Sequence, residues 1–592
     1  MVDSGSKEGQ QIDNLCTTSV DELEKFCDSE FIAVDTETNG LDTNNGFAIS
    51  VALCNMRGET RFVHFENSTA PELYDLEVIL GTKKCVFHNA KFDIKMLGNR
   101  GFSVTYPEDT IIMAYLINEY EPSLSLEFLA KKYIGEEKFV DEKFVLWKKM
   151  NRVDFNTNGL LNCPIELLRP YNIHDAVITL KLFFALKGRL SALHLNEQYG
   201  IEKQLLKSLI KLERRGCKID VNYGLTKLST ISEELSPLEQ KIKSAYHIEN
   251  LRSWQQVKRA FEQNGIFVKS TNKEVLADLA ARGNPIADDL ITYRKKSKLL
   301  NTYIVPILQK TDQKTHRLHA NYNQAVTHTH RLSSSDPNLQ NIPKPAEGGK
   351  YEFEVARRLF ICEENSYLIG GDYDQEEMRI IADECNCSGL LELFKAGYRD
   401  VYVEIARIIW PSKEIDKRLR YIAKQNVLGT SYGMGPTKFT IQSKRYGVDV
   451  SVDEAVYVIG VINERFPEIK ETLQRYSSII RRQGFIVDRF GMRYNIPQDF
   501  SYKALNGIIQ GTAAQVMKRA LIAIDEISSK NFGCINTIHD EFLVEVNKEI
   551  TPETAIQQLK EKMESVSVHF KIPLTASIKQ YDGSWGMVKK AA

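Results

Sequence analysis

Arg420-Tyr-Ile-Ala-Lys424-Gln-Asn-Val-Leu428-Gly429-Thr-Ser-Tyr432-Gly433 decides how this chain is read. Arg420, Lys424, Leu428 and Tyr432 recur every four residues, the spacing that lines side chains along one face of a helix. Two cations, an apolar residue and an aromatic in a row suit successive contact with phosphates, a sugar and a base. A partly buried amphipathic helix is the plain alternative, but arginine and lysine on the apolar stripe fit it poorly.

Acids flank this helix in the sequence. Leu368-Ile369-Gly-Gly-Asp372-Tyr373 spells a short apolar strand ending in an acid, and Thr537-Ile538-His539-Asp540-Glu541-Phe542 a hairpin-like turn carrying two. Each alone is compatible with a surface turn. Upstream, Phe31-Ile-Ala-Val-Asp35-Thr-Glu37 reads as a buried strand ending in carboxylates at i and i+2, which a strand places on one face. Two such acids repel unless a cation or proton lies between them, although a lone pair of this kind is more often a turn or cap. His88-Asn89-Ala-Lys91-Phe92-Asp93 follows a second apolar strand, and Tyr171-Asn-Ile-His-Asp175 puts Tyr171 and Asp175 four apart on a helical pattern.

The 592 residues predict two to four domains. Residues 20–190 alternate strand-like and helix-like runs, an α/β pattern, and 316–592 mix long helical patterns (401–430, 452–482, 501–529) with short strands, an α+β pattern. Between them, 201–315 read as helical. Lysine plus arginine total 77 against 78 acidic residues over the whole chain, yet residues 201–315 hold 21 basic and 13 acidic residues. That local excess suggests a surface meeting an anion, against the alternative of a solvated helical face. The ten cysteines show no paired metal-site spacing, which predicts reduced thiols. With no apolar leader and no 18-residue apolar run, the expectation is a soluble, intracellular protein without a membrane partner. Ser4 to Gln11 lie in an expected flexible leader over 1–20.

Residues 25–190 resemble the proofreading 3′-5′ exonuclease domain of DNA polymerases, the RNase H-like type with four acids and a tyrosine. Asp35, Glu37, Asp93 and Asp175 match the acids and Tyr171 the tyrosine. The resemblance implies two-metal hydrolysis by Mg2+ or Mn2+, with Tyr171 orienting the attacking water. Asp109 matches a further family aspartate, with a helix cap as the competing role.

Residues 200–592 resemble the polymerase module of the bacterial DNA polymerase I family, family A. The stretch from Thr329 through Arg331, Asn338, Gln340 and Asn341 to Pro343 is nearly the family signature. Asp372-Tyr373, the helix from Arg420 to Gly433, Gln510-Gly511-Thr512-Ala513-Ala514 and His539-Asp540-Glu541 follow in the family's order. The implied fold is an exonuclease domain over 21–195 followed by a right-hand polymerase domain over 196–592. Its thumb would occupy about 200–315, its palm 316–390 and 485–592, and its fingers 391–484.

The implied activity is template-directed addition of dNTPs to a primer 3′-OH, with proofreading, in replication or repair. Asp372, the backbone of Tyr373 and Asp540 would hold two metal ions. Arg420 and Lys424 would bind the triphosphate, with Lys424 also a candidate proton donor to pyrophosphate. Gln375, Leu428, Tyr432 and His539 would line the nucleotide, and Glu377 would be the steric gate that crowds a 2′-OH. Arg331, Asn338, Gln340, Asn341, Asn506 and Gln510 would contact DNA. The thumb's positive excess would grip duplex phosphates.

Primer-template DNA and dNTPs are the implied partners of a monomer, with a helicase, primase or processivity factor as further ones. Since the exonuclease resemblance begins near residue 25 with no 5′-nuclease pattern ahead of it, a phage or organelle replicative relative is expected. Its place would be a bacterial cytosol or an organelle matrix. Several positions depart from the family pattern. Asp374 and Glu376 replace a serine and an apolar residue, which should alter nucleotide discrimination unless Glu376 points to solvent. Leu428 stands where phenylalanine or tyrosine is usual, predicting weaker dNTP affinity. His330 replaces glycine, Tyr502 an arginine, and Tyr402 a histidine.

Two rival readings are a standalone 3′ exonuclease of RNase D type and a non-catalytic nucleic-acid clamp. The first leaves Asp372, Lys424 and Asp540 without purpose; the second conflicts with intact carboxylates in both modules.

Overall fold

The computed structural model describes residues 25–137, 141–342, 351–445 and 448–589, so the leader expected over 1–20 and Pro343 lie outside the described residues. The chain forms two compact units.

The first unit runs to Arg214 and also takes in Gln324–His330 and Phe490–Asn495. Its sheet is mixed, as the alternating pattern predicts. Strands β1 (Phe31–Thr38), β2 (Ala48–Asn55), β3 (Thr60–His64), β4 (Lys84–Phe87) and β5 (Tyr106–Asp109) lie in the order β3-β2-β1-β4-β5. The central β1 is antiparallel to β2 and parallel to β4. Phe31 to Val34 are buried, and beyond them half-buried Asp35 and Glu37 alternate with buried Thr36 and Thr38. The two acids therefore sit inside the strand, not at its end as read from sequence, and the two-residue period still puts them on one face. Helix α1 (Ala90–Gly98) carries Asp93, α2 (Thr110–Ile117) follows β5, and α3 (Ile165–Ala192) lies against β1 and β2.

This unit extends beyond the limit expected at residue 195. Helix α4 (Asn196–Arg215) is fastened to it by a Lys203–Glu108 ion pair at 2.8 Å and a buried Lys95–Glu213 pair at 3.1 Å. The later segments are held by similar polar contacts. The Gln324 amide donates to the buried Glu202 carboxylate at 2.7 Å, and Asn495 donates to buried Glu119 from its backbone N–H at 2.6 Å and its amide at 2.7 Å. Buried carboxylates need such partners. Their location, invisible to composition, decides which segments join the unit.

The second unit holds the remaining residues. Its first part is helical: α5 (Val221–Tyr246), α6 (Trp254–Gln263), α7 (Lys273–Ala281) and α8 (Pro285–Lys298) close over Ile242, Val257, Phe261, Leu276 and Leu290. An antiparallel sheet follows, made of β6 (Ser366–Tyr373), β7 (Phe532–Ile538), β8 (Glu541–Asn547) and β9 (Ala576–Tyr581) in the order β7-β8-β6-β9.

The long helical patterns are interrupted where proline intervenes. Residues 401–430 become α10 (Val401–Ile409) and α11 (Lys417–Ser431) after α9 (Glu376–Glu384), with Trp410-Pro411 between them. Residues 452–482 become α12 (Val452–Arg465) and α13 (Pro467–Gln483), Phe466 standing in extended φ ahead of Pro467. Proline lacks the N–H that would continue each helix and disfavours helical backbone in the residue before it. The third pattern opens as a 3-10 turn over Gln498–Lys503 before α14 (Ala504–Glu526).

Two glycines let the acid-bearing strand pack closely. A Cβ at Gly370 would lie 2.7 Å from the Tyr581 ring, and one at Gly371 would lie 2.4 Å from the Met563 sulfur on α15 (Pro552–Glu564). The methionine can give way; the tyrosine is held by its hydroxyl bond to Glu541 at 3.0 Å. Gly370→Ala therefore overpacks the sheet and costs about 1–3 kcal/mol. Urea unfolding checks this, and an unchanged midpoint would contradict it.

Candidate active sites

In the first unit, Asp35, Glu37 and Asp175 offer carboxylate oxygens that all lie within 4.8 Å of one another. Asp93, on α1, lies outside this group of three; it accepts from the hydroxyl of Thr36, the residue between the two strand acids in sequence, at 2.6 Å. Asn172 is a residue that the sequence reading did not single out. Fully buried one turn before Asp175, it donates to the Asp35 carboxylate at 2.6 Å and the Asp35 carbonyl at 3.1 Å, and it accepts from Ser50 at 2.9 Å. Its only sequence signal was a polar side chain on the helical face that the sheet covers.

Burial, and after it the charges of Asp175, Glu37 and Asp93, push the Asp35 carboxyl well above its usual range. Burial likewise pushes Asp93 up to about 8, against the lowering effect of Thr36. Tyr171 packs on Phe144 with ring centroids 4.6 Å apart, and the Lys148 ammonium stands 5.7 Å from its ring. Asp109 takes the capping role: it accepts from Ile111 N–H at 2.8 Å at the start of α2 and from Ala90 N–H at 2.8 Å at the start of α1.

In the second unit, a cavity of about 480 Å³ gathers most of the residues read from sequence. Asp372 ends β6, Asp540 sits in the two-residue turn between β7 and β8, and the Tyr373 N–H donates to the Asp540 carbonyl at 3.2 Å. Arg420 and Lys424 reach the same cavity from α11, joined by Arg331, Gln340, Gln375, Glu377 and His539. Both cations stand over the Tyr402 ring, at 5.7 and 5.3 Å, and Arg420 donates to Asp400 at 2.6 Å. Tyr402, noted in the sequence only as a departure, is thus the platform for both.

Both oxygens of Glu377 are hydrogen-bonded. One carboxylate oxygen accepts from Arg331 at 3.0 Å and the other from the Tyr432 hydroxyl at 3.1 Å. Gln375, at positive φ (55°), accepts from the Val401 N–H and donates to the Arg399 carbonyl, both at 3.1 Å. Glu376 does not point to solvent: it is 6% exposed, lines the cavity, and its Oε1 has no hydrogen-bond partner among the described residues. Burial first, then Asp540, pushes its carboxyl well above the usual range. Asp374 turns away to accept from Ser577 at 2.6 Å and Thr575 at 3.2 Å. Glu541 is buried against Tyr581, Trp585 and Arg357.

The other sequence candidates lie off the cavity wall. Asn338 accepts from the Asn341 N–H at 3.2 Å, the Asn341 carbonyl accepts from Tyr303 at 3.2 Å, and Leu428 and Tyr432 pack on the core between α9 and α14. Asn506 and Gln510 lie on α14, and the Asn506 side-chain oxygen is buried without a partner among the described residues. His330 is buried at positive φ (56°), with the rings of Tyr115 and Tyr494 edge-on at 4.8 and 5.2 Å. Lys518, fully buried on α14, lines the cavity and was not singled out from sequence.

The family model described as DNA polymerase family A matches residues 224–586, and that described as 3′-5′ exonuclease matches residues 15–191. The chain is 30% identical to DNA polymerase I of Pseudomonas aeruginosa over 576 residues, 90% of this chain and 61% of the relative. It is 29% identical to DNA polymerase I of Borreliella burgdorferi, covering 96% of this chain and 63% of the relative, and 31% identical to the thermostable DNA polymerase I of Thermus aquaticus, covering 66% and 49%. The chain thus spans about half to two-thirds of the length of these relatives. Among solved structures, the POL domain of Pol1 from M. smegmatis in complex with DNA primer-template and dNTP superposes with a TM-score of 0.83 at 23% identity, covering 96% of this chain and 98% of that one. At that identity the likeness speaks for the fold alone.

The crowded carboxyls of the first unit carry a pH signature. Asp93 keeps its proton in the folded state at pH values where the unfolded chain, with an ordinary value of 3.8, has lost it. The folded state therefore binds more protons over this window, and stability falls as pH rises from about 4 to about 8. In chelator, the thermal midpoint is expected to drop between pH 5 and 8, and less steeply in Asp93→Asn. A divalent cation, which requires deprotonated ligands, should raise it more at pH 8 than at pH 5. A flat profile in chelator would contradict the assignment.

Proposed function

The chain belongs to DNA polymerase family A, with a 3′-5′ exonuclease domain ahead of the polymerase domain, and on that premise we propose that it extends a DNA primer on a template and trims mispaired 3′ ends. The observation that carries the reading is the shared cavity. Asp372 on β6 and Asp540 in the turn between β7 and β8 line one cavity with Arg420 and Lys424 from α11, a space fit for a nucleotide.

All-oxygen donor sets of this kind suit Mg2+ or Mn2+, two ions to each site. Asp372, the Tyr373 carbonyl and Asp540 would hold them in the polymerase, and Asp35, Glu37, Asp93 and Asp175 in the exonuclease. When bound, the ions neutralise phosphate charge and acidify the attacking hydroxyl or water. The rest falls to the side chains. Arg420, steadied by Asp400 and the Tyr402 ring, binds the triphosphate, and Lys424 beside it donates a proton to the departing pyrophosphate oxygen. Arg331 and Tyr432 pin Glu377 in one rotamer, so its bulk stands fixed against the nucleotide sugar. In the exonuclease site Asn172 orients Asp35, and Tyr171 orients the water.

Primer-template DNA and dNTPs are the substrates of this reading, and a bacterial cytosol or organelle matrix is the compartment in which they meet the enzyme. A helicase, primase or processivity factor would be a further partner if the role is replicative. The rival exonuclease-only reading predicts excision without extension.

Primer extension with labelled DNA separates the two sites. Asp540→Ala and Asp372→Ala are expected to lose extension by at least a thousandfold and to keep excision, whereas Asp35→Ala loses excision and keeps extension. Extension by Asp540→Ala at the wild-type rate would overturn the proposal. Leu428 cannot stack on a nucleotide as an aromatic ring does. Leu428→Phe should therefore lower KM for dNTPs several-fold in single-nucleotide incorporation, and equal KM values would refute that role.

A further inference from the structure

Two adjacent carboxyls, Glu376 and Glu377, open α9 and line the same cavity, and their hydrogen bonding differs. Both oxygens of Glu377 are taken, one by Arg331 and one by Tyr432. Glu376 is more than nine-tenths buried in the cavity wall, and its Oε1 has no partner among the described residues. A buried polar atom without a partner is costly to maintain, and its placement at a helix N-terminus stabilises a carboxylate without satisfying that oxygen.

Resting on the polymerase reading, we propose that Glu376 is a specificity-determining residue whose Oε1 accepts a hydrogen bond from the 2′-hydroxyl of an incoming ribonucleotide. The triphosphate offers no donor and is drawn to Arg420 and Lys424. The base's donors are used by the template. What remains to donate is the sugar hydroxyls; Glu377, the neighbour at the position crowding the 2′ carbon, already accepts at both oxygens, whereas Glu376 Oε1 accepts from none of the described residues. A carboxyl accepts hydrogen bonds whether ionised or protonated, so the contact does not require either state. A site that supplies such an acceptor excludes ribonucleotides less strictly than one with an apolar side chain there.

The test is single-nucleotide incorporation by the full chain, in an Asp35→Ala background that prevents trimming, with dATP, ATP and ddATP on one primer-template and Mg2+. The ratio of kcat/KM for dATP over ATP is expected to rise at least tenfold in Glu376→Ile and Glu376→Leu. In Glu376→Gln, which retains an acceptor oxygen at the same reach, it should stay within about threefold of wild type. Replacing an unsatisfied buried carboxyl by an apolar group should not prevent folding, and thermal unfolding of each variant checks it.

A merely structural carboxyl would shift the unfolding midpoint and leave the ratio within twofold of wild type, which overturns the proposal. A change confined to ddATP against dATP would move the contact to the 3′-hydroxyl and overturn it equally. Failure of the Asp35→Ala protein to incorporate dATP at all would instead sink the polymerase reading.

Discussion

Mutual repulsion among carboxylates is the constraint around which both units are arranged. Asp35, Glu37 and Asp175 converge within 4.8 Å, and in that position burial and neighbouring charge resist ionisation of Asp35. An isolated strand and helix would separate these groups. They are held together by polar bonds aimed at particular oxygens: Asn172 clamps Asp35 by side chain and backbone, and Thr36 fixes Asp93. The cost of crowding is thus met by buried neighbours, Thr36 on the sheet and Asn172 on the helix that covers it.

The second unit solves a related problem by sorting its acids. Along Asp372-Tyr-Asp374 and His539-Asp540-Glu541, alternate carboxylates take opposite directions. Asp374 is satisfied by Ser577 and Thr575 on and beside β9, and Glu541 by Tyr581, Trp585 and Arg357 in the core. Only Asp372 and Asp540 of these line the cavity. The sorting happens where the strands end: Asp374 lies just past β6 and turns to the hydroxyls of Ser577 and Thr575, while Glu541 opens β8 facing the core. The Gly370-Gly371 pair contributes by admitting Tyr581 and Met563 against β6, so the ring that holds Glu541 also sits against the strand that presents Asp372.

Much of this was legible in the sequence wherever a short period carried it. The i, i+2 pair of Asp35 and Glu37, the four-residue stripe from Arg420 to Tyr432, and the apolar strands ahead of Asp93 and Asp372 need only local geometry. Helix breaks at Pro411 and Pro467 were readable too, but an apolar period running across them masked them. What sequence could not reveal depends on distant residues meeting. Glu119 and Glu202 recruit Asn495 and Gln324 into the first unit from hundreds or scores of residues away, and no local pattern reports that. Asn172 and Tyr402 looked like ordinary helical positions until their partners came into view. Glu376 was open in both directions, because a helix N-terminus suits an exposed acid as well as a buried one.

One glutamine amide connects the acids to the cations. Gln375 sits where β6 turns into α9, and positive φ at that residue lets the chain turn sharply between strand and helix. Its side chain bonds the backbone at Arg399 and at Val401, the entry to α10. Between those two residues lies Asp400, which caps α10 through Tyr402 N–H at 3.1 Å and takes the Arg420 guanidinium. A short chain of contacts therefore runs from the Asp372 strand through Gln375 and Asp400 to Arg420, and Tyr402 extends it to Lys424. This backbone-to-side-chain path ties the position of the Asp372 strand to that of the Arg420 and Lys424 helix. Through this path the strand bearing Asp372 and the helix bearing Arg420 and Lys424 are held around one cavity.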